Sequence, residues 1–150
     1  MRFYTHIAFN VLLYLILNKF FMVNNYISFA IFLFFSLFPD IDEPKSFIGR
    51  KLRFLSVIIK KLFRHRGIFH SIFIPLVLFF IIGLIFNFQY GLIVFIAYLG
   101  HLIMDALTKE GVNFLEPLTT LRIRGFFRTG GVLENILLVV FIIIIIIYTL

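Results

Sequence analysis

Five long apolar stretches, separated by short polar breaks, dominate the pattern along the chain. They cover residues 3–23, 26–38, 68–88, 90–107 and 132–148. A helix needs about 20 apolar residues to cross a bilayer, and fewer where it packs inside a bundle. The pattern therefore predicts an all-α integral membrane protein, a single domain over residues 1–150 with a bundle of about five transmembrane helices.

Short polar breaks and basic residues predict the topology. Asn24-Asn25 and Asn87-Phe88-Gln89 are tight connections, so the first two stretches form one hairpin and the next two another. Basic residues concentrate in residues 45–66 and 122–128, and cytoplasmic loops carry an excess of Lys and Arg. We expect a multi-pass protein of the inner or plasma membrane, with its N-terminus cytoplasmic and its C-terminus outside. The first stretch lacks a small-x-small cleavage site, so we expect it to be retained.

Residues 46–63 are too charged to span a membrane but have helical periodicity. The apolar positions are Ile48, Leu52, Leu55, Ile59 and Leu62, opposite Arg53, Lys60 and Arg64. This pattern is typical of an amphipathic helix lying in the cytoplasmic interface; the alternative is a positively charged topology loop. Residues 112–131 lack a clean period and are interpreted as an ordered loop or a re-entrant segment.

Composition supports the membrane assignment and restricts the chemistry. The chain is 62% hydrophobic with a mean hydropathy of +1.10, well above a typical soluble domain. Cysteine does not occur, so any metal must use nitrogen and oxygen ligands. The net charge of +7 lies beside the apolar stretches, which favours anionic lipid over nucleic acid as a partner.

Every histidine and aspartate falls on one side of the predicted membrane. With the topology above, five segments of alternating direction bring the following residues to the cytoplasmic side: His6, Asp40, Asp42, His65, His70, His101, Asp105 and Glu134. Ionisable groups inside or beside a span are costly and are functional candidates. Placement for solubility would distribute them over both faces, so we interpret them as one shared polar site.

Two spacings strengthen this interpretation. His101 and Asp105 are four residues apart and point the same way on a helix; alternatively, they form a hydrogen-bonded pair that holds helices together. Asp40 and Asp42 lie between Pro39 and Pro44 and share a side of an extended chain, or they form a solvated turn.

The motif His65-Arg66-Gly67-Ile68-Phe69-His70-Ser71 places two imidazoles around a flexible glycine. We expect His65 in a turn and His70 in the first turn of the next helix; alternatively, the motif is a basic cluster facing lipid headgroups. His6 and Glu134 are weak signals individually, because His is common near span ends and an acidic residue is favoured in a helix's first turn.

Imidazole and carboxylate groups together match a catalytic zinc site, although manganese or iron accepts the same ligands. The candidate ligands outnumber those that one zinc needs, so the site can hold one or two divalent ions. Arg66 can bind a phosphate or carboxylate with two hydrogen bonds.

The motifs resemble one known family. Asp40-Ile41-Asp42 after Pro39, the His65–Ser71 motif and the Gly100–Thr108 run, followed by Gly111-Val112 and Pro117, are similar to the YdjM-like proteins. These are predicted membrane-bound, metal-dependent hydrolases, also described as LexA-binding inner-membrane hydrolases. In relatives Thr often precedes the second His; Phe69 stands there in this chain, which removes a hydroxyl but no ligand.

The main hypothesis is a membrane-bound metal-dependent hydrolase acting on a phosphoester or lipid-linked substrate at the cytoplasmic interface. Its expected metal ligands are His6, Asp40, His65, His70, His101 and Asp105. Asp42 or Glu134 would act as general base or orient a ligand, and Arg66 would stabilise developing charge. The alternatives are a non-catalytic membrane regulator with a structural metal and a cytoplasmic protein partner, and an ion or proton transporter. The apolar outer halves of the spans argue against transport.

Overall fold

A computed structural model describes residues 1–19, 26–62 and 67–150. Seven α-helices occupy these ranges: α1 (Phe3–Leu17), α2 (Tyr26–Leu37), α3 (Phe47–Lys51), α4 (Arg53–Leu62), α5 (Phe73–Ile85), α6 (Phe88–Ala106) and α7 (Val132–Thr149). Two 3₁₀ turns, Phe38–Asp42 and Ile68–His70, lie between them; we name the first the aspartate turn. No strand forms in these ranges, so the all-α prediction is confirmed for the part of the chain described.

Helix α6 is the central element and packs against α1, α2 and α5. Its apolar side chains belong to two core clusters. Ile93 and Ala97 pack with Tyr14 and Phe32, while Tyr98 and Leu102 pack with Val112. The C-terminal half of α6, which carries His101 and Asp105, is therefore fixed from several sides.

The expected bundle of five spans is not confirmed. Only α6 and α7, among the helices described, are long and apolar enough to cross a membrane. α1 and α5 are apolar but have 15 and 13 residues, and α2 has 12. α1 and α5 are shorter than predicted because α1 ends at Leu17 and because a 3₁₀ turn, rather than α-helix, occupies Ile68–His70. α2 matches the predicted stretch to within one residue.

Helix α7 exposes a large apolar surface. Only 6% of its residues are buried inside the protein, although the helix consists largely of Ile, Val and Leu. An apolar area of this extent is normally covered by lipid or another apolar surface.

The basic segment forms two helices instead of the single predicted one. α3 ends at Lys51, the backbone leaves helical geometry at Leu52, and α4 begins at Arg53. Both helices pack against the aspartate turn. The Ser46 side chain accepts a hydrogen bond from Gly49 N at 2.8 Å and donates one to Asp40 O at 2.7 Å. The predicted end of this helix, with Arg64, lies outside the described residues.

Residues 112–131 form the predicted ordered loop. Val112 and Ile123 exchange two backbone hydrogen bonds of 2.9 Å, and Thr108 pairs with Phe127. Ile72 N also donates to Phe114 O at 2.9 Å, so this loop is attached to the entry of α5.

Candidate metal centre

Four elements bring six candidate site residues together. α1 contributes His6, the aspartate turn Asp40 and Asp42, the Ile68–His70 turn His70, and α6 His101 and Asp105. Their side chains are at most 2% exposed, except Asp40, which retains 23% exposure. The group is therefore buried with one edge open to solvent at Asp40. His70 lies at the end of a 3₁₀ turn before α5, not inside the helix as expected.

Asp105 is the central carboxylate. Its Oδ1 lies 3.3 Å from His6 Nε2, and its Oδ2 lies 3.5 Å from His70 Nε2 and 3.9 Å from His101 Nε2. Oδ1 also accepts a charged hydrogen bond of 2.6 Å from the Met1 amino group. The two oxygens of Asp105 thus face different imidazoles, as in a carboxylate able to bridge two cations.

A backbone carbonyl orients His101. Its Nδ1 lies 2.8 Å from Ser36 O, and because a carbonyl can only accept, Nδ1 carries the hydrogen. The neutral ring then presents a bare Nε2 towards Asp40 Oδ1 at 3.6 Å. Histidines that bind metals characteristically donate their second N–H to a carbonyl or carboxylate in this way.

Asp42 orients His70 in the same manner. Asp42 Oδ2 lies 3.2 Å from His70 Nδ1, and neither side chain is exposed. This contact turns His70 Nε2 towards Asp105 and the centre of the group. From the sequence, Asp42 was expected to act as a general base or to orient a metal ligand. Its contact with His70 matches the second role.

His6 reaches the site because α1 approaches α6 closely. The His6 and His101 rings stack with centroids 4.0 Å apart and planes 7° apart. At the point of approach, a Cβ on Gly100 would overlap the Asn10 side chain. His6 is 1% exposed, and neither of its ring nitrogens has a hydrogen-bond partner within the described chain.

Burial and neighbouring charges shift the site's acid–base properties. Burial raises the pKa of the Asp40 carboxyl above its usual range. For His70, burial lowers the pKa, but the carboxylates of Asp105 and Asp42 together outweigh it and raise the pKa to about 9. The metal-free site therefore holds a positive charge at His70 near neutral pH, where a metal cation would compete with the proton.

The donor atoms fit a small metal ion. Two sets each have their donor atoms within 4.8 Å of one another: His6, His101 and Asp105, and Asp40, His70 and His101. Ligands of one tetrahedral zinc with bonds of ~2.1 Å lie about 3.4 Å apart, and the contacts seen here range from 3.3 to 3.9 Å. His101 belongs to both sets, so the arrangement suits one ion or two adjacent ions.

Other predicted residues lie apart from the cluster or outside the described ranges. Glu134 accepts hydrogen bonds from Arg2 N at 2.6 Å, Thr5 Oγ1 at 3.0 Å and Gly130 N at 2.5 Å. Its carboxylate thus ties the start of α1 to the start of α7, and its role as a general base stays a prediction. His65 and Arg66 lie outside the described residues. The Ser36 carbonyl was missed, because a backbone acceptor has no sequence signal.

Fold and site together define a helical protein with an exposed apolar helix and a buried histidine–aspartate cluster. The family model described as "YdjM inner membrane protein" matches residues 1–150. The chain therefore belongs to the YdjM inner membrane protein family, as its motifs indicated.

Two relatives illustrate the similarity. YvsG of Bacillus subtilis (strain 168) is 37% identical over 108 residues, which cover 69% of this chain and 66% of YvsG. Inner membrane protein YdjM of Escherichia coli (strain K12) is 38% identical over 92 residues, 54% of this chain and 44% of that protein. The matched part thus spans less than two thirds of either relative. No solved structure is similar enough to count as a match.

Proposed function

We propose that this protein is a membrane-bound, metal-dependent hydrolase whose site lies at the cytoplasmic interface. The observation that carries the proposal is the convergence of three buried imidazoles and two carboxylates at donor separations that suit a divalent ion. Burying unpaired imidazole nitrogens has no structural benefit by itself. A bound cation would satisfy one ring nitrogen of His6 and the Nε2 of His101, atoms that lack hydrogen bonds within the described residues.

His6, Asp40, His70, His101 and Asp105 would hold the ion or ions, joined by His65 in this proposal. Zinc suits these ligands best, with manganese or iron as the other candidates. When bound, such a metal acidifies a water molecule and polarises a phosphoryl or carbonyl oxygen.

The chain's own residues then divide the remaining tasks. Asp42 and the Ser36 carbonyl keep the His70 and His101 rings aimed at the centre. Asp40, the partly exposed member, marks the edge by which a substrate enters. Arg66 would bind the substrate's negative charge. Of the two candidate bases, Asp42 lies in the cluster and would receive the water's proton, whereas Glu134 lies apart from the cluster.

The site's location favours a phosphoester or lipid-linked substrate. Its residues lie at the start of α1, the end of α2 and the last turns of α6. They therefore share one end of the apolar helices. In a membrane-spanning arrangement of these helices, that end lies at the level of the lipid headgroups. The proposal includes a multi-pass arrangement in the inner membrane with the N-terminus cytoplasmic and the C-terminus outside.

A hydrolysis assay tests the proposal. Detergent-purified protein is assayed with a chromogenic phosphodiester and with phospholipids, after loading with zinc or manganese. We expect metal-dependent turnover that His70→Ala abolishes while insertion and elution are unchanged. Equal turnover by the variant would refute the mechanism. Stoichiometric metal without turnover of any phosphoester or lipid would instead indicate a non-catalytic regulator with a structural metal.

A further inference from the structure

A basic pocket on α3 and α4 is separate from the metal centre. It has a volume of about 650 Å³ and is lined by Pro44, Lys45, Arg50, Arg53 and Val57. Its three cationic side chains are exposed, and none of them pairs with a carboxylate among the residues described. Three such groups around one concave surface produce a local positive potential that attracts an anion.

Helix α4 presents different chemistry on its two flanks. Successive residues turn by about 100° around a helix, and the buried Ser56 and Ile59 define the edge that faces the protein. One flank carries exposed apolar side chains, with Phe54 at 83% and Leu62 at 69% exposure. The other flank carries Arg53, Val57 and Lys60. The helix thus has an apolar side and a basic side, both of them at the surface.

Helix α3 repeats this division. On the side opposite Arg50, an apolar groove of about 370 Å³ lies between α3 and α2, lined by Leu33, Phe34, Leu37, Phe47, Ile48, Lys51 and Leu52. Basic side chains on one flank and apolar side chains on the other are typical of a helix at the boundary between lipid and water. The two helices share this division although the chain bends between them at Leu52.

We infer that the basic pocket of Lys45, Arg50 and Arg53 binds the phosphate of an anionic phospholipid headgroup. The apolar flanks decide between a lipid and a soluble anion. A free phosphate would satisfy the three cations but would leave Phe54, Leu62 and the groove in water, whereas a phospholipid layer covers both. Arginine and lysine beside an anionic membrane each strengthen binding by about fivefold.

The basic pocket contacts the aspartate turn, which contributes Asp40 to the metal centre. The Ser46 hydroxyl, next to Lys45, donates to Asp40 O. At Gly49, a Cβ would overlap the Glu43 carbonyl, so α3 lies directly on the end of the aspartate turn. A lipid held by Lys45 and Arg50 would therefore stabilise the position of Asp40. This consequence rests on the proposed function; lipid binding itself does not.

The test measures lipid selectivity of the full chain in detergent by native mass spectrometry. The probes are dioleoyl phosphatidylglycerol and the zwitterionic dioleoyl phosphatidylcholine. The pocket variant is Lys45→Gln/Arg50→Gln/Arg53→Gln. The control, Lys109→Gln/Arg124→Gln/Arg128→Gln, removes the same charge from the segment that connects α6 to α7. We expect the wild type and the control to prefer phosphatidylglycerol, and the pocket variant to lose that preference by tenfold or more, up to about 100-fold.

A charge-conserving variant and a competition with inorganic phosphate distinguish lipid binding from misfolding and from binding of a soluble anion. The charge-conserving variant Arg50→Lys/Arg53→Lys should retain the preference, which excludes misfolding as the cause of a loss. Millimolar inorganic phosphate should displace little phosphatidylglycerol. Equal losses in the pocket and control variants, or full displacement by inorganic phosphate, would overturn the inference. Metal content measured on the same samples reports separately on the metal centre.

Discussion

Removing the carboxylate of Asp42 should weaken metal binding although Asp42 is not itself an expected ligand. Its Oδ2 lies 3.2 Å from His70 Nδ1, and both side chains are fully buried. Replacing a residue that orients a metal-binding histidine typically lowers metal affinity 10–100-fold, about 1.4–2.7 kcal/mol. Because no water can replace the lost charge at this buried contact, we expect Asp42→Asn to fall near the upper end, about 100-fold.

The neighbouring carboxylate offers a matched control. Glu43 pairs with Lys60 at 2.7 Å, but their side chains remain 19% and 41% exposed. Exposed pairs of this kind contribute about 0–1 kcal/mol, so Glu43→Gln should change zinc affinity little.

Competition with a chromogenic chelator, on detergent-purified protein at fixed pH, measures both affinities. Wild-type affinity in Asp42→Asn, or an equal loss in Glu43→Gln, would refute the assigned role of Asp42.

Three further predictions follow from the fold and the site. Gly100→Ala should destabilise the protein by about 1–3 kcal/mol through overpacking and so lower its thermal midpoint in detergent, since the added Cβ would overlap a buried side chain. Gly83→Ala should leave the midpoint unchanged, because its Cβ would lie 3.8 Å from its nearest neighbour. Because neighbouring carboxylates raise the pKa of His70 from 6.5 to about 9, the metal-free protein should have its full stabilisation from that charge below pH 6.5. It should lose this stabilisation as the pH rises through about 9, and His70→Gln should flatten the profile in a thermal unfolding series. The chain has no cysteine, so Lys51→Cys should react with an impermeant thiol reagent only after the membrane is opened, and Gln89→Cys should react in intact cells; the reverse would contradict the proposed orientation.

The histidines and aspartates show what the sequence could predict. Helical spacing placed His101 and Asp105 on one face, and alternating direction brought His6, Asp40 and His70 to the same end. These inferences depend only on helix periodicity and chain direction, which apolar patterns report well. All five residues meet in the structure.

Other features depend on tertiary contacts that a pattern cannot encode. The break at Leu52 divides a segment whose periodicity continues through it. Glu134 was expected beside the cluster, but its carboxylate binds the start of α1 through Arg2 and Thr5. Likewise, Ser36 orients His101 through a backbone carbonyl, which any residue type would supply. The number of spans is not confirmed, because composition reports an apolar stretch but not where its helix ends.

The metal content of the purified protein tests the central claim most directly. The wild type and the double variant His101→Ala/Asp105→Ala are purified in detergent, offered zinc and manganese, and analysed by elemental mass spectrometry. We expect one or two equivalents of metal in the wild type and a loss of that metal in a variant that still inserts and elutes normally. Metal-free wild-type protein after reconstitution, or equal metal in both samples, would contradict the account.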